Sequence, residues 1–281
     1  VSRIRIVHRT GYRYGSLGAK ASFNEVRMTP LSSHEQLVMS NKVDITPTAW
    51  QFQHTDYWGT QVLNFEVHEQ HGSLQITASS DVDVHRPVVA HEPVLGWQEL
   101  ADPALADAYC EYLEQTPYTN IGALAGRLDE LRQQSESPAG HVTAVSRLVR
   151  ERIARVWGAG KPCAQAGQAW DEQAGSVQDV VHLVIGALRR AGIPARYVAG
   201  YVLPSLDPPL GVAQPANLHA WLQFWDGSWV GVDPLNACAP GEEHIEVGYG
   251  RDYADVMPLF GIFTGGQTSE TFVEVELTKV S

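Results

Sequence analysis

The sequence predicts an α+β protein, with a strand-rich N-terminal domain followed by a mixed core built around one buried helix. Three observations carry that prediction. Apolar residues alternate with period two through roughly the first ninety positions. The stretch Gly175–Tyr201, GSVQDVVHLVIGALRRAGIPARYVAGY, reads as a buried helix that hands over to a strand. The chain has 281 residues and is 44% hydrophobic and 19% charged, enough to bury a full core in one large or two medium domains.

The N-terminal elements follow from the alternation. Ile4, Ile6, Tyr12 and Tyr14 share one face of a first strand, and Leu37, Met39, Asn41, Val43 and Ile45 make another period-two run. Leu63, Phe65 and Val67 give a third, and Leu74, Ile76, Ala78, Val82 and Val84 a fourth. Turn chemistry at Asp56-Tyr57-Trp58-Gly59 and His71-Gly72 separates them. Short strands joined by such turns predict a β-sandwich-like domain over residues 1–92. It contains no catalytic cluster and reads as scaffold or docking surface.

Residues 93–140 read as a helical connection. Helical patterns over 97–116 and Leu124–Gln134 are followed by a loop, SESPAG. The core is expected over 141–281 with a C-terminal strand. His141–Val156 is amphipathic, with Val142, Val145, Leu148, Val149, Ile153 and Val156 on one face. Residues 158–175 carry little pattern. The central helix starts near residue 176, with Val177, Val180, Val181, Val184, Ala187 and Leu188 at three- and four-residue spacing. Gly192 suits a helix C-terminus and Pro194 prevents its continuation. The proline-rich stretch after Leu203 predicts no regular element. His219–Phe224 and Ser228–Val232 read as short strands joined at Asp226-Gly227. Residues 237–265 read as loop, and Phe272–Leu277 as a last strand.

Composition narrows the partners. A formal net charge of −12 argues against nucleic acid and anionic membrane surfaces. No apolar run spans a bilayer. The first residues, VSRIRIVHRTGYRY, read as a strand and not as the apolar region of a signal peptide. Cys110, Cys163 and Cys238 are odd in number and form no CxxC pair, which points to a reducing cytoplasm. No residue cluster has metal-ligand spacing, and no cofactor is expected.

The chemistry-bearing positions gather around the central helix. A helix N-terminus near residue 177 precedes His219 at the head of one strand and Asp233 at the end of the next. That order suits nucleophilic acyl chemistry. The helix start lowers a thiol pKa and supplies an amide to an oxyanion, the imidazole moves the proton, and the carboxylate orients the imidazole.

The words SFNEVRMTP (22–30), DYWGTQVLNFEV (56–67), QDVVHLVIGALRRAGIPARYVAGY (178–201), HAW (219–221), DPLN (233–236) and HIEVGYGRDYADVMPLFG (244–261) together resemble the bacterial transglutaminase-like proteins. The resemblance covers nearly the whole chain. It implies a papain-like thiol-hydrolase core behind an N-terminal β domain, with amide or peptide substrates. It also implies a cysteine nucleophile in a Gly-x-Cys-Gln-Asp word at the helix start. Here that word is Gly175-Ser176-Val177-Gln178-Asp179, so Val177 stands in the nucleophile position. His219 and Asp233 carry over as base and orienter. Leu218 stands where the family tends to have serine, and Leu235 where it tends to have threonine.

Two functions follow as expectations. The first is a pseudoenzyme that binds a peptide, an acyl or amide ligand, or a partner protein, with Ser176, Gln178, Tyr201 and Trp221 lining its groove. The second is an enzyme that forms or cleaves amide bonds with His219 and Asp233 but without the cysteine, by general base catalysis on an activated substrate. A thiol or hydroxyl from Cys163, Cys238 or Ser176 is the remaining route to a covalent intermediate, although Ser176 reads first as a helix N-cap. His219 with Asp233 also reads as a structural pair. His182 reads as a helical histidine packed in the core, and Arg251, Asp252, Tyr253 and His244 as a polar network.

Overall fold

The computed structural model describes residues 1–87, 91–156, 165–205, 207–265 and 269–281. Its N-terminal part is a sandwich of two antiparallel sheets. The strands are β1 (Ser2–Tyr14), β2 (Ala21–Val26), β3 (Gln36–Thr46), β4 (Trp50–Thr55), β5 (Gln61–Val67) and β6 (Ser73–Val84). The period-two runs all became strands. Two strands the alternation did not single out, β2 and β4, join them; every residue of β4 is exposed, so no buried face marks it in the sequence.

The helical connection is more broken than its pattern suggests. It contains α1 (Trp97–Leu100), α2 (Pro103–Ala108), a 3-10 turn at Cys110–Tyr112 and α3 (Ala125–Gln134). Asp102 caps α2, with Pro103 at its first position, so the stretch expected as one helix restarts there. The expected SESPAG loop is shorter for the same reason. Ser137 accepts the Gly140 amide at 3.1 Å and Pro138 opens α4 (Pro138–Arg152). That helix ends at Arg152, and β7 (Ala154–Arg155) follows it.

The core is one antiparallel sheet laid against one helix. After α5 (Ala166–Glu172) and β8 (Ala174–Gly175) comes α6 (Val177–Arg190), in which residues 180–189 are all buried. Gly192 ends it at φ +80°, the left-handed geometry glycine adopts without strain. The remaining strands are β9 (Ala195–Val202), β10 (Gln214–Ala216), β11 (Leu218–Trp225), β12 (Trp229–Val232), β13 (His244–Gly250), β14 (Leu259–Thr264) and β15 (Ser269–Lys279). The core sheet runs β12-β11-β9-β13. Val181, Leu183, Val184, Ile185 and Leu188 of α6 pack on Tyr197, Leu222 and Phe224 of that sheet. Each such buried side chain contributes about 1.5–3 kcal/mol.

Three expectations on the C-terminal half are corrected. The proline-rich stretch does hold a strand, β10, at the sheet edge, where Pro215 has no ladder bond to lose. Residues 237–265 are not loop: β13 and β14 lie within them. The span 158–175 holds α5, whose first turn buries only small residues, Ala166, Gly167 and Ala169, and so leaves no apolar period to read.

The two parts are woven together. β15 pairs with β1 and β10 with β15, giving a five-stranded sheet β10-β15-β1-β6-β3, while β14 adds to β14-β2-β5-β4. The long strands β1 and β6 serve two cores. Tyr14, Leu74, Ile76 and Ala78 face the sandwich interior, whereas Ile4, Ile6, Val82 and Val84 pack on Tyr201, Ile245 and Val247 of the core sheet. At the crossover the Tyr201 hydroxyl lies 2.9 Å from Nδ1 of buried His8. Burial pushes His8 down to about 3, so its ring is neutral beside that hydroxyl.

Candidate functional site

The start of α6 is built by a reciprocal cap. Ser176 Oγ donates to Asp179 Oδ2 at 2.8 Å and faces the Asp179 amide at 3.4 Å. The Ser176 amide donates to the same carboxylate at 2.7 Å. The hydroxyl is therefore engaged as the N-cap. Val177 is the first helical residue and packs, with Leu235, against the helix–sheet core. Gln178, the next residue, lines a cleft that His219 also lines.

His219 is held at the second position of β11, opposite Gly200 on β9. Gly200 is required there, because a Cβ would strike the Ile245 carbonyl and the Trp221 ring. Nε2 of His219 lies 2.7 Å from Oδ2 of Asp233, the residue that follows β12. Asp233 sits in a tight loop closed by backbone hydrogen bonds to Cys238 in both directions. Its Oδ1 accepts the amides of Leu235 and Asn236 at 3.0 and 3.1 Å, and its Oδ2 accepts the Asn236 side-chain amide at 2.7 Å. Burial alone would raise the Asp233 pKa. The hydrogen bonds from His219 and His244 overcome it and hold the carboxyl well below the usual range.

A second imidazole shares this carboxylate. His244, at the head of β13, places Nε2 3.2 Å from Asp233 Oδ2 and Nδ1 3.1 Å from Glu243 Oε1. Burial opposes its charge, but contacts with Asp233, Cys238 and Glu243 prevail and push it up to about 10. Asp233 thus fixes His219 through Nε2, leaving Nδ1 as the nitrogen able to take a proton. Among the described residues no thiol or hydroxyl hydrogen-bonds to His219; its partners are Asp233 and, at 3.5 Å, Asn236.

The space beside His219 is small. The cleft bounded by Gln178, Tyr197, Tyr201, Leu218, His219 and Tyr253 holds about 20 Å³, room for about one water. Tyr201 contributes its ring to that wall while its hydroxyl serves His8. Trp221 does not face the cleft. It is fully buried, so the expected ligand-lining indole is corrected to a packing residue seated on Gly200. His182 is buried between Tyr118 and Tyr197, accepts the Tyr253 amide at 3.1 Å and is pushed down to about 3 by burial. Arg251 pairs with Asp255, and Asp252 caps the turn at Tyr253. Cys110 and Cys238 are free thiols, and Cys163 lies outside the described residues.

Sequence reasoning missed two features. Asn236 stands within the DPLN word, yet its bond to Asp233 has no spacing signal. The groups His219–Asp233–His244 and Cys238–Glu243–His244 bring possible metal-ligand atoms within 4.8 Å of one another. The first group comes from separate strands and the second from the loop leading into β13, and neither has a spacing that announces it.

Residues 4–83 match the bacterial transglutaminase-like N-terminal region, and residues 126–234 match the transglutaminase-like superfamily. The chain belongs to the bacterial transglutaminase-like family. An uncharacterized protein of Mycobacterium leprae is 37% identical over 281 residues, covering 99% of both chains. A "Protein-glutamine gamma-glutamyltransferase" of Pseudomonas aeruginosa is 34% identical over 130 residues, which is 43% of this transglutaminase-like chain and 19% of that protein. Among solved structures, a "Putative Cysteine Protease" from Cytophaga hutchinsonii superposes with a TM-score of 0.79 at 18% identity, covering 100% of this chain and 91% of that one. The likeness establishes a transglutaminase-like fold with a β domain in front. Among the described residues no helix is long and apolar enough to cross a membrane.

Proposed function

We propose that this transglutaminase-like protein is a pseudoenzyme: it keeps the fold as a binding scaffold for a peptide, an acyl or amide ligand, or a partner protein, and has lost thiol acyl transfer. The observation that carries the reading is Val177 at the first position of α6, where the family resemblance puts a cysteine. An aliphatic side chain has no lone pair for attack. Val177 and Leu235 instead extend the apolar core, and Leu218 packs on the cluster shared with the β domain. The free thiols of Cys110 and Cys238 suit a reducing cytoplasm, which localisation of a tagged full chain would check.

Val177→Cys tests the reading. A thiol there sits on the N-terminus of a 14-residue helix, which favours the thiolate. The expected result is thiol-dependent amide hydrolysis in the variant and none in the parent. His219-dependent turnover by the parent would overturn it.

A second reading has its own support: the His219–Asp233 pair is intact and further braced by Asn236. That geometry suits general base catalysis on an amine or water attacking an already activated acyl group, worth about 10²–10⁴-fold. Loss of thioester or acyl phosphate consumption in His219→Ala would favour it; unchanged turnover in that variant would remove it.

A further inference from the structure

Beside Asp233, three side chains of different chemistry converge. Cys238, Glu243 and His244 each offer one atom, and the three atoms lie within 4.8 Å of one another. We propose that they form a site for a zinc-class divalent cation, held by the Cys238 thiolate, a Glu243 carboxylate oxygen and Nδ1 of His244.

The donor set is the first reason. One sulfur, one imidazole and one carboxylate match the ligands of zinc, and three protein ligands with a fourth position open is its arrangement at reactive sites. The spacing is the second. Metal–ligand bonds of 2.0–2.3 Å at tetrahedral angles separate nitrogen and oxygen ligands by about 3.3 Å. Nδ1 of His244 and Oε1 of Glu243 are 3.1 Å apart.

The third reason lies in the outer ring nitrogen. Metal-bound histidines generally give their other N–H to a carboxylate, which fixes tautomer and orientation. Nε2 of His244 does this to Asp233 at 3.2 Å. The loop is also held for the purpose: Ala237 takes φ +54°, unfavourable for a residue with a Cβ, and thereby turns Cys238 back to bridge Asp233. Cys238 lines a cavity of about 1190 Å³ shared with Asp233, Pro240 and Trp229, which gives the thiol a route to solvent.

Two neighbours bear on the charge. The Gly241 amide lies 3.2 Å from Nδ1 of His244 and must move aside. The Arg86 guanidinium donates to the His244 carbonyl at 2.9 Å, but its charge is matched by Glu35 at 2.6 Å and Glu246 at 3.2 Å. Asp233 is shared by His219 and His244 and interacts with Arg155, so Glu243 brings the nearest further negative charge. Binding releases the protons of the ligating groups to solvent.

The experiment uses the full chain with Cys110→Ser and Cys163→Ser, so that Cys238 is the one thiol. After chelator treatment it is titrated with Co²⁺, followed by the thiolate-to-cobalt charge-transfer band, and Zn²⁺ is then added as competitor. The expected result is one equivalent of Co²⁺ with that band, displaced by Zn²⁺. Cys238→Ser should abolish the band, Glu243→Gln should weaken binding at least tenfold, and His219→Ala should leave it in place. Circular dichroism confirms that each variant is folded. Absence of the band, its persistence in Cys238→Ser, or its loss in His219→Ala would overturn the proposal. As a second readout, Zn²⁺ should slow disulfide exchange at Cys238 by at least tenfold; an unchanged rate would also overturn it.

Discussion

The Nε2 atom of His219 lies 2.7 Å from Oδ2 of Asp233, and both side chains are buried. The pair has the geometry of a base with its orienter. Val177 is the first residue of α6, and the narrow cleft beside the imidazole is also lined by Gln178. The pair also ties β11 to the loop after β12.

Asp233→Asn should show that directly. Removing the charge leaves His244, which burial disfavours as a cation, with Glu243 as the one carboxylate beside it among the described residues. Breaking one partner of a buried ion pair typically costs about 3–5 kcal/mol. Urea unfolding should report a loss near the lower figure, since asparagine keeps part of the hydrogen bonding. A loss under about 1 kcal/mol would mean the carboxylate is not holding the site together.

Ser176→Ala should behave as the loss of a helix cap and nothing more. The Oγ is engaged with Asp179. Stability should fall by about 1 kcal/mol in thermal or urea unfolding. If the same change removed a covalent adduct or a turnover, the hydroxyl would be a nucleophile and not a cap.

Stability should fall on the acid side of about pH 6.5. His8 and His182 are each pushed down to about 3 by burial, from an ordinary value of 6.5. Their folded pKa lies below the unfolded one, so the unfolded chain binds more protons between those values. Their contribution is present above about 6.5 and is lost as the pH falls. Each group removes up to about 1.4 kcal/mol per pH unit in that window. Urea midpoints measured at pH 7, 6 and 5 should drop progressively; a flat profile would contradict the neutral, buried assignment.

Gly200→Ala should be among the most damaging small substitutions. The added Cβ meets the Ile245 carbonyl and the Trp221 ring, and the neighbouring backbone is locked in the sheet. Overpacking of this kind costs about 1–3 kcal/mol or more, and the upper end is expected in urea unfolding. A folded variant of unchanged stability would show that β9 and β13 can separate locally.

The fold was legible wherever one face of an element is buried. The alternation in β1 and β6 found those strands with their faces correct, and the apolar stripe found α6, which is buried on all sides over residues 180–189. Residues 237–265 failed because β13 is buried on both faces and so has no alternation, as its unbroken run His244–Gly248 shows. The helical connection failed at Asp102 and Ser137, whose capping signals stand in the sequence but were outweighed by apolar spacing. His219 and Asp233 were legible as a pair through their order along the chain. His244, Glu243 and Cys238 were not, because the tight turn through Ala237 and the start of β13 bring them together.

The most direct test of the central claim is the intact mass of the wild-type chain after incubation with an amide or thioester acyl donor, read beside His219→Ala. The account predicts that the wild-type mass stays unchanged. A stoichiometric acyl adduct on the wild type that disappears in His219→Ala would contradict it, because some side chain other than Val177 would then be attacking with that imidazole's help.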